Sequence, residues 1–243
     1  MCVRRLVCIA AVVFTLSPAS GGARAVLDRP IGGWVSAPTP APAHVIAQVR
    51  TGHVVALRNR PFGQVVAHVG AVTQFGSRRA LGVVASSRGR WLAVTEAGVG
   101  GNHVVWVDAQ AGGLRYSRTR LELEVDLSSR TLTVRRDRAV VRRVRVGVGA
   151  VDSPTPTGRF AVTDKLDGGN FSAAYGCCIL ALSASQPHLP AGWHGGNRVA
   201  IHGTLSSSDF GRAVSAGCVH ARDTDLRYLM RVVPLGTPVV IRP

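Results

Sequence analysis

Leu121-Glu122-Leu123-Glu124-Val125-Asp126-Leu127 decides how the second half of this chain is read. Apolar and acidic residues alternate strictly, so one face is buried while the other meets water, the period-two mark of a half-buried β-strand. Ser128-Ser129-Arg130 then makes a turn, and Leu132-Thr133-Val134 returns as a hairpin partner. After a second turn near Asp137, Val140 to Gly149 predicts one long strand ending in glycines. Ser153-Pro154-Thr155-Pro156-Thr157-Gly158-Arg159-Phe160 is a proline-fixed loop entering another strand. Residues 164–196 carry Gly168-Gly169, Gly176 and Gly195-Gly196 and read as a loop-rich lid over a site. Asn197 to Ile201 is a further apolar strand. Asp223 is placed to cap a short helix running to Arg231, with Leu226, Leu229 and Met230 facing inward. Pro234 to Pro238 then turns the chain into a last strand, Val239-Val240-Ile241.

Upstream, from His44 to about Ser117, the pattern is short strands at the spacing of a small sandwich or barrel. His53–Arg58, Gly63–His68, Leu81–Ala85, Arg90–Val94 and His103–Asp108 are the candidate strands. Trp91 and Trp106 are read as filling the core of that barrel. Residues 26–43, with Pro30, Pro38, Pro40 and Pro42, have the composition of an extended linker. Before them, Arg4 and Arg5, the apolar run Leu6 to Leu16, and Ala23-Arg24-Ala25 match a secretory signal peptide over residues 1–25. That apolar run falls short of the ~20 residues that span a bilayer. The expectation is an exported chain with no stable membrane insertion after cleavage.

Export constrains the cysteines. Removing the leader takes Cys2 and Cys8 and leaves Cys177, Cys178 and Cys218. An odd number in an oxidising compartment leaves a thiol unpaired or bridging to another chain. Cys177 and Cys178 are adjacent, and they can form a vicinal disulfide, stay reduced, or bridge elsewhere. The charge is +16, from 29 basic and 13 acidic residues. Arg4, Arg5 and Arg24 leave with the leader, so the mature chain carries 16 − 3 = +13. Such a balance suits a polyanion, but aromatics make up only 5% of the chain. Single-stranded nucleic acid needs aromatic platforms between the charges. With export, this points away from nucleic acid and toward an anionic envelope polymer. His188, His194 and His202 with Cys177 and Cys178 match no common zinc spacing, so no zinc site is expected there.

Two short segments carry the chemistry: Ile201-His202-Gly203-Thr204 and Ser215-Ala216-Gly217-Cys218. A thiol attacks a carbonyl only as thiolate, and a neighbouring imidazole can take its proton. His202 closes an apolar strand, and Gly203 allows close approach. Gly217 frees the turn before Cys218, so that the N–H groups of Gly217 and Cys218 can converge on an oxyanion. The group that orients the imidazole need not be acidic, since a backbone carbonyl on the protonated nitrogen does the same.

Ile-His-Gly-Thr, then Ser-x-Gly-Cys-Val, then an Asp on the following helix, preceded by the Thr-Pro-Thr-Gly-x-Phe loop at Thr155–Phe160, resembles the L,D-transpeptidase catalytic domain over roughly residues 119–243. The strands at Trp91 and Trp106 loosely resemble the Src-homology-type barrels attached to bacterial wall enzymes. The implied fold is mainly β: a small N-terminal barrel at 44–118, then a β-sandwich catalytic domain at 119–243 with a short C-terminal helix. By this resemblance Cys218 is the nucleophile and His202 the general base, later acid. The Gly203 carbonyl orients His202, and Ser215 and Gly217 shape the nucleophile loop. The implied reaction is acyl transfer between peptidoglycan stem peptides in the cell wall, through a thioester that a side-chain amine takes up, and it implies no metal or organic cofactor. Water or a protein lysine as acceptor, and a wall-binding protein without activity, are the competing outcomes. Candidate substrate contacts are Tyr175, His220 and Arg222. Two positions depart from the family pattern: Ala216 stands where many members have His, and His220 stands where Arg or Asn is common.

Overall fold

The computed structural model describes residues 43–99 and 101–243. The leader and nearly all of the linker read from the sequence lie outside the described residues. The strands of the first sheet are β1 (His44–Val49), β2 (Val54–Arg58), β3 (Val65–Gly70), β4 (Ala80–Ser87), β5 (Trp91–Val94), β6 (Val105–Asp108) and β7 (Leu114–Thr119). The remaining elements are β8 (Leu121–Asp126), β9 (Thr131–Arg136), β10 (Ala139–Arg145), β11 (Val148–Gly149), β12 (Gly158–Asp167), β13 (Cys178–Ser185), β14 (Arg198–His202), β15 (Ala213–Ser215), β16 (Val219–His220), α1 (Asp223–Val232) and β17 (Pro238–Arg242). The described residues are mainly β with one short α-helix, as the patterning predicts.

Strands β1–β7 form one sheet in the order β3-β2-β6-β5-β4-β1-β7. It wraps a single core that draws Ala47 and Val49, Val55 and Leu57, Val69, Leu81, Val94, and Val105 and Val107 from six different strands. Trp91 is buried, and its ring stacks edge-on with Phe62 at 5.0 Å. Trp106 is half-buried. The sequence reading misses β1 and β7, which pair with each other along their whole length.

The second sheet runs β10-β9-β8-β17-β12-β13-β14-β16. Leu121, Leu123 and Val125 point into its core, as their alternation requires. Phe160 and Val162, Leu180, Leu182 and Ala184, and Val199 and Ile201 join them from the other half of the sheet. Both halves feed one core because the sheet folds over on itself. Its two edges meet where Gly147 and His220 exchange backbone hydrogen bonds of 2.9 Å in each direction. Helix α1 closes the layer with Leu226 and Leu229, and Arg142 on β10 reaches across to Asp225 on the helix at 2.6 Å.

Three expectations are corrected. The long strand at 140–149 is broken, because Gly147 spends its N–H and C=O on His220 across the seam. The stretch at 164–196 is not one lid. It contains β13, a central strand buried over seven of its eight residues. Cys-Ile-Leu-Ala-Leu-Ser-Ala has no period of two, because both its faces are covered; the flanking glycines mask it. Only 168–177 and 186–197 remain as loops. Asp223 does not cap α1 either. Arg222 holds the cap position without a side-chain bond, and Asp223 turns back to accept from the Cys177 N–H at 3.2 Å.

The two sheets are joined closely. Gly82 on β4 is indispensable there, since a Cβ at that position would lie 2.6 Å from Ala161 Cβ and 2.8 Å from the Gly236 carbonyl. Thr95 Oγ1 and Ser183 Oγ share a buried hydrogen bond of 2.7 Å. Asn102 acts as a two-point clamp on Ser185, donating to its carbonyl and accepting from its N–H, both at 2.7 Å. Thr73 donates to Asp164, whose other oxygen faces the Arg198 guanidinium at 3.6 Å.

Candidate active site

Parallel pairing of β14 with β16 builds the site. Ile201 lies opposite Val219 and His202 opposite His220. Side chains alternate along a strand, so Val199, Ile201 and Val219 enter the core while Ala200, His202, Cys218 and His220 share the other face. That face floors a cleft of about 600 Å³, whose walls include Tyr175, Gln186, Trp193, Leu205 and Ser215.

His202 is buried, and its Nδ1 lies 2.6 Å from the Gly203 carbonyl. A carbonyl only accepts, so Nδ1 carries the proton and Nε2 keeps a lone pair. The Gly203 N–H in turn donates to the Tyr175 carbonyl at 2.7 Å, and the Tyr175 ring packs edge-on against His202 at 4.7 Å. Burial, with the His220 imidazole adding to it, pulls His202 down to about 4, against the pull of the Gly203 carbonyl. Cys218 is a free, half-buried thiol, and burial pushes it up to about 11. At neutral pH the cleft therefore holds a thiol at Cys218 and a neutral imidazole at His202.

Ser215 and Gly217 hold the loop before the thiol. Ser215 Oγ donates to the Cys218 carbonyl at 2.6 Å and accepts from the Gly217 N–H at 3.1 Å. That engagement differs from the expected pair of converging oxyanion donors, since the Gly217 N–H is taken within the loop. Gly217 has φ +112, a conformation that favours glycine. Gln186 was not foreseen. Its amide donates to the carbonyls of Pro154 at 2.9 Å, Ser153 at 3.2 Å and Ala216 at 3.4 Å, tying three loops together.

Of the candidate contacts, Tyr175 and His220 line the cleft. Arg222 lies outside that lining, with its guanidinium 4.7 Å over the Phe210 ring. Cys177 and Cys178 are joined to each other in a disulfide. Asp209 is the other residue missed. Its carboxylate accepts from His220 Nδ1 at 2.8 Å and from Thr204 Oγ1 at 2.6 Å. Nothing in Ser206-Ser207-Ser208-Asp209 marks that acid as a partner for a histidine eleven residues on. Among the described residues no three His, Cys, Asp or Glu side chains gather as a metal site requires. Among them, too, no helix is long and apolar enough to cross a membrane.

A free thiol, a buried imidazole held by a backbone carbonyl and a cleft over both define a class: a β protein arranged for thiol acyl chemistry. The family model of the YkuD L,D-transpeptidase catalytic domain matches residues 120–241, and the chain belongs to that family. YkuD of Bacillus subtilis, named an L,D-transpeptidase, is 31% identical over 121 residues, which cover 49% of this chain and 64% of that protein. ErfK/SrfK of Salmonella typhimurium, also named an L,D-transpeptidase, is 34% identical over 109 residues, 40% of this chain and 35% of that protein. The chain thus spans less than two thirds of either relative. A solved L,D-transpeptidase from Mycobacterium smegmatis aligns with TM-score 0.43 and 19% identity, covering 84% of this chain and all of that one.

Proposed function

We propose that this protein is an exported cysteine acyltransferase that cross-links peptidoglycan stem peptides. The carrying observation is that His202, its Nδ1 bonded to a backbone carbonyl, shares one sheet face and one cleft with the free thiol of Cys218. Cys218 is the nucleophile. As its sulfur attacks the carbonyl at the L-centre of a diamino-acid residue in a donor tetrapeptide, His202 Nε2 takes the thiol proton. The imidazolium then protonates the departing terminal D-alanine, and a thioester remains. A side-chain amine of a second stem takes the acyl group, and the thiol is restored. Because the resting pair is neutral, proton transfer accompanies attack instead of preceding it. Tyr175 buttresses His202, while Ser215, Gly217 and Gln186 fix the nucleophile loop. The N-terminal sheet packs directly on the catalytic sheet. That close packing supports a wall-facing platform over a freely tethered spacer.

Purified protein incubated with tetrapeptide muropeptides and read by mass spectrometry tests this. Dimers that have lost one alanine, with an acyl adduct on Cys218, are expected. Monomers shortened by alanine would make water the acceptor, and the absence of both products and adduct would refute the enzymatic reading.

A further inference from the structure

Amide formation from an amine has a proton count that one histidine does not cover. The acceptor side-chain amine is an ammonium at neutral pH, with an ordinary value near ~10.4. Its nitrogen carries three protons and ends in an amide with one, so two must leave. One returns to the Cys218 thiolate by way of His202. The other leaves to bulk solvent before the amine binds, or else needs a second base that faces the same cleft.

His220 meets that need. It lies two residues beyond Cys218 on the same face of β16, and its ring centre is 4.8 Å from that of His202. It lines the cleft with Cys218. Its Nδ1 is held 2.8 Å from Asp209 Oδ2, and a carboxylate only accepts, so in the neutral ring the lone pair is on Nε2. Asp209 stays ionised: burial works against its charge, but the bonds from Thr204 and His220 outweigh it and hold the carboxyl below its ordinary range. This acid–imidazole pair has what His202 lacks, a partly buried carboxylate bonded to the ring to stabilise its protonated form. The groups facing the ring are Asp209, with Arg212 near it, His202 across the pairing, and Cys218 on its own strand segment.

We propose that His220, held by Asp209, is a second base of the site, which takes the first proton of the acceptor ammonium and passes it to solvent. The amine so freed attacks the thioester carbon, the C–S bond breaks, and the second proton goes through His202 to the sulfur. The inference rests on the transpeptidase reading above.

The test separates two steps in the full chain: acylation of Cys218 by a tetrapeptide, read by intact mass, and transfer to an amine acceptor across pH 6 to 10. For His220→Asn, transfer at neutral pH falls about tenfold or more beyond any loss in acylation, within the range of general-base effects. That excess loss shrinks as pH approaches the acceptor's own value, where the amine is already neutral. Asp209→Asn, which keeps the ring, shows the same trend with a smaller loss. Equal losses in both steps, or an excess loss that does not change with pH, overturn the assignment. Should His220→Asn fail to fold by circular dichroism, Asp209→Asn decides alone by the same criteria. Failure of the wild-type protein to acylate would instead sink the transpeptidase reading itself.

Discussion

The two faces of the eight-stranded sheet follow different rules. One is filled with large apolar side chains, Leu123, Leu132, Phe160, Leu180, Leu182 and Ile201, all essentially inaccessible to water. The other carries mainly small or polar residues, Ala161, Thr163, Ala181, Ser183 and Ala200, with Ile179 as its large buried exception. The first face carries stability. The second leaves space, and two things use it: the N-terminal sheet over Ala161 and Ser183, and the cleft over Ala200 and Cys218. The cleft and the apolar core are therefore separated by the thickness of one strand.

Mutations on the two faces should separate these properties. Cys218→Ala is expected to reduce acyl transfer to background with little change in melting temperature, checked by adduct mass and thermal unfolding. A large loss of stability would place the thiol in the core. Leu180→Ala on the opposite face should cost about 2–5 kcal/mol, as core truncations to alanine do, while transfer per folded molecule persists. Chemical denaturation with parallel activity assays measures this.

The pH dependence of stability isolates His202. Its folded value, about 4, lies below the ordinary 6.5, so the unfolded chain takes up a proton that the folded one refuses. The neutral ring's contribution is complete above about pH 6.5 and is lost progressively down to about pH 4. At about 1.4 kcal/mol per unit this amounts to about 3 kcal/mol. Denaturation midpoints from pH 7 to 4 should show that loss, and His202→Asn should remove its share while leaving the carboxylate contribution. Equal slopes in the two proteins would contradict the burial of a neutral ring. The smallest effect is at the seam between the sheets. Thr95→Val removes the bond to Ser183 Oγ and is expected to cost about 1 kcal/mol, seen as a modest fall in melting temperature. A second, earlier unfolding transition in that variant would mean that the two sheets unfold separately.

Much of the fold was legible because period-two alternation survives where one face is wet, as in β8 and β9. It fails for β13, which is covered on both sides, and there the flanking glycines misdirected the reading toward a lid. The thiol and the histidine that share the cleft were legible because glycine turns flank them at strand ends. Asp209, Gln186 and the engagement of the Gly217 N–H were not, since each depends on loops far apart in sequence being brought together.

By itself the sequence determined the strands with a wet face, the pairing of a thiol with an imidazole, and the family to which those motifs point. Only the tertiary structure decided that β14 and β16 run side by side and in parallel. That register turns Cys218, His202 and His220 to one face, because alternation along a strand assigns a residue to a face only after its neighbour is known. It also decided that the two departures at the nucleophile loop have different meanings. Ala216 lines the cleft and lends its carbonyl to Gln186. His220 gains a carboxylate partner from a loop that no local pattern connects to it.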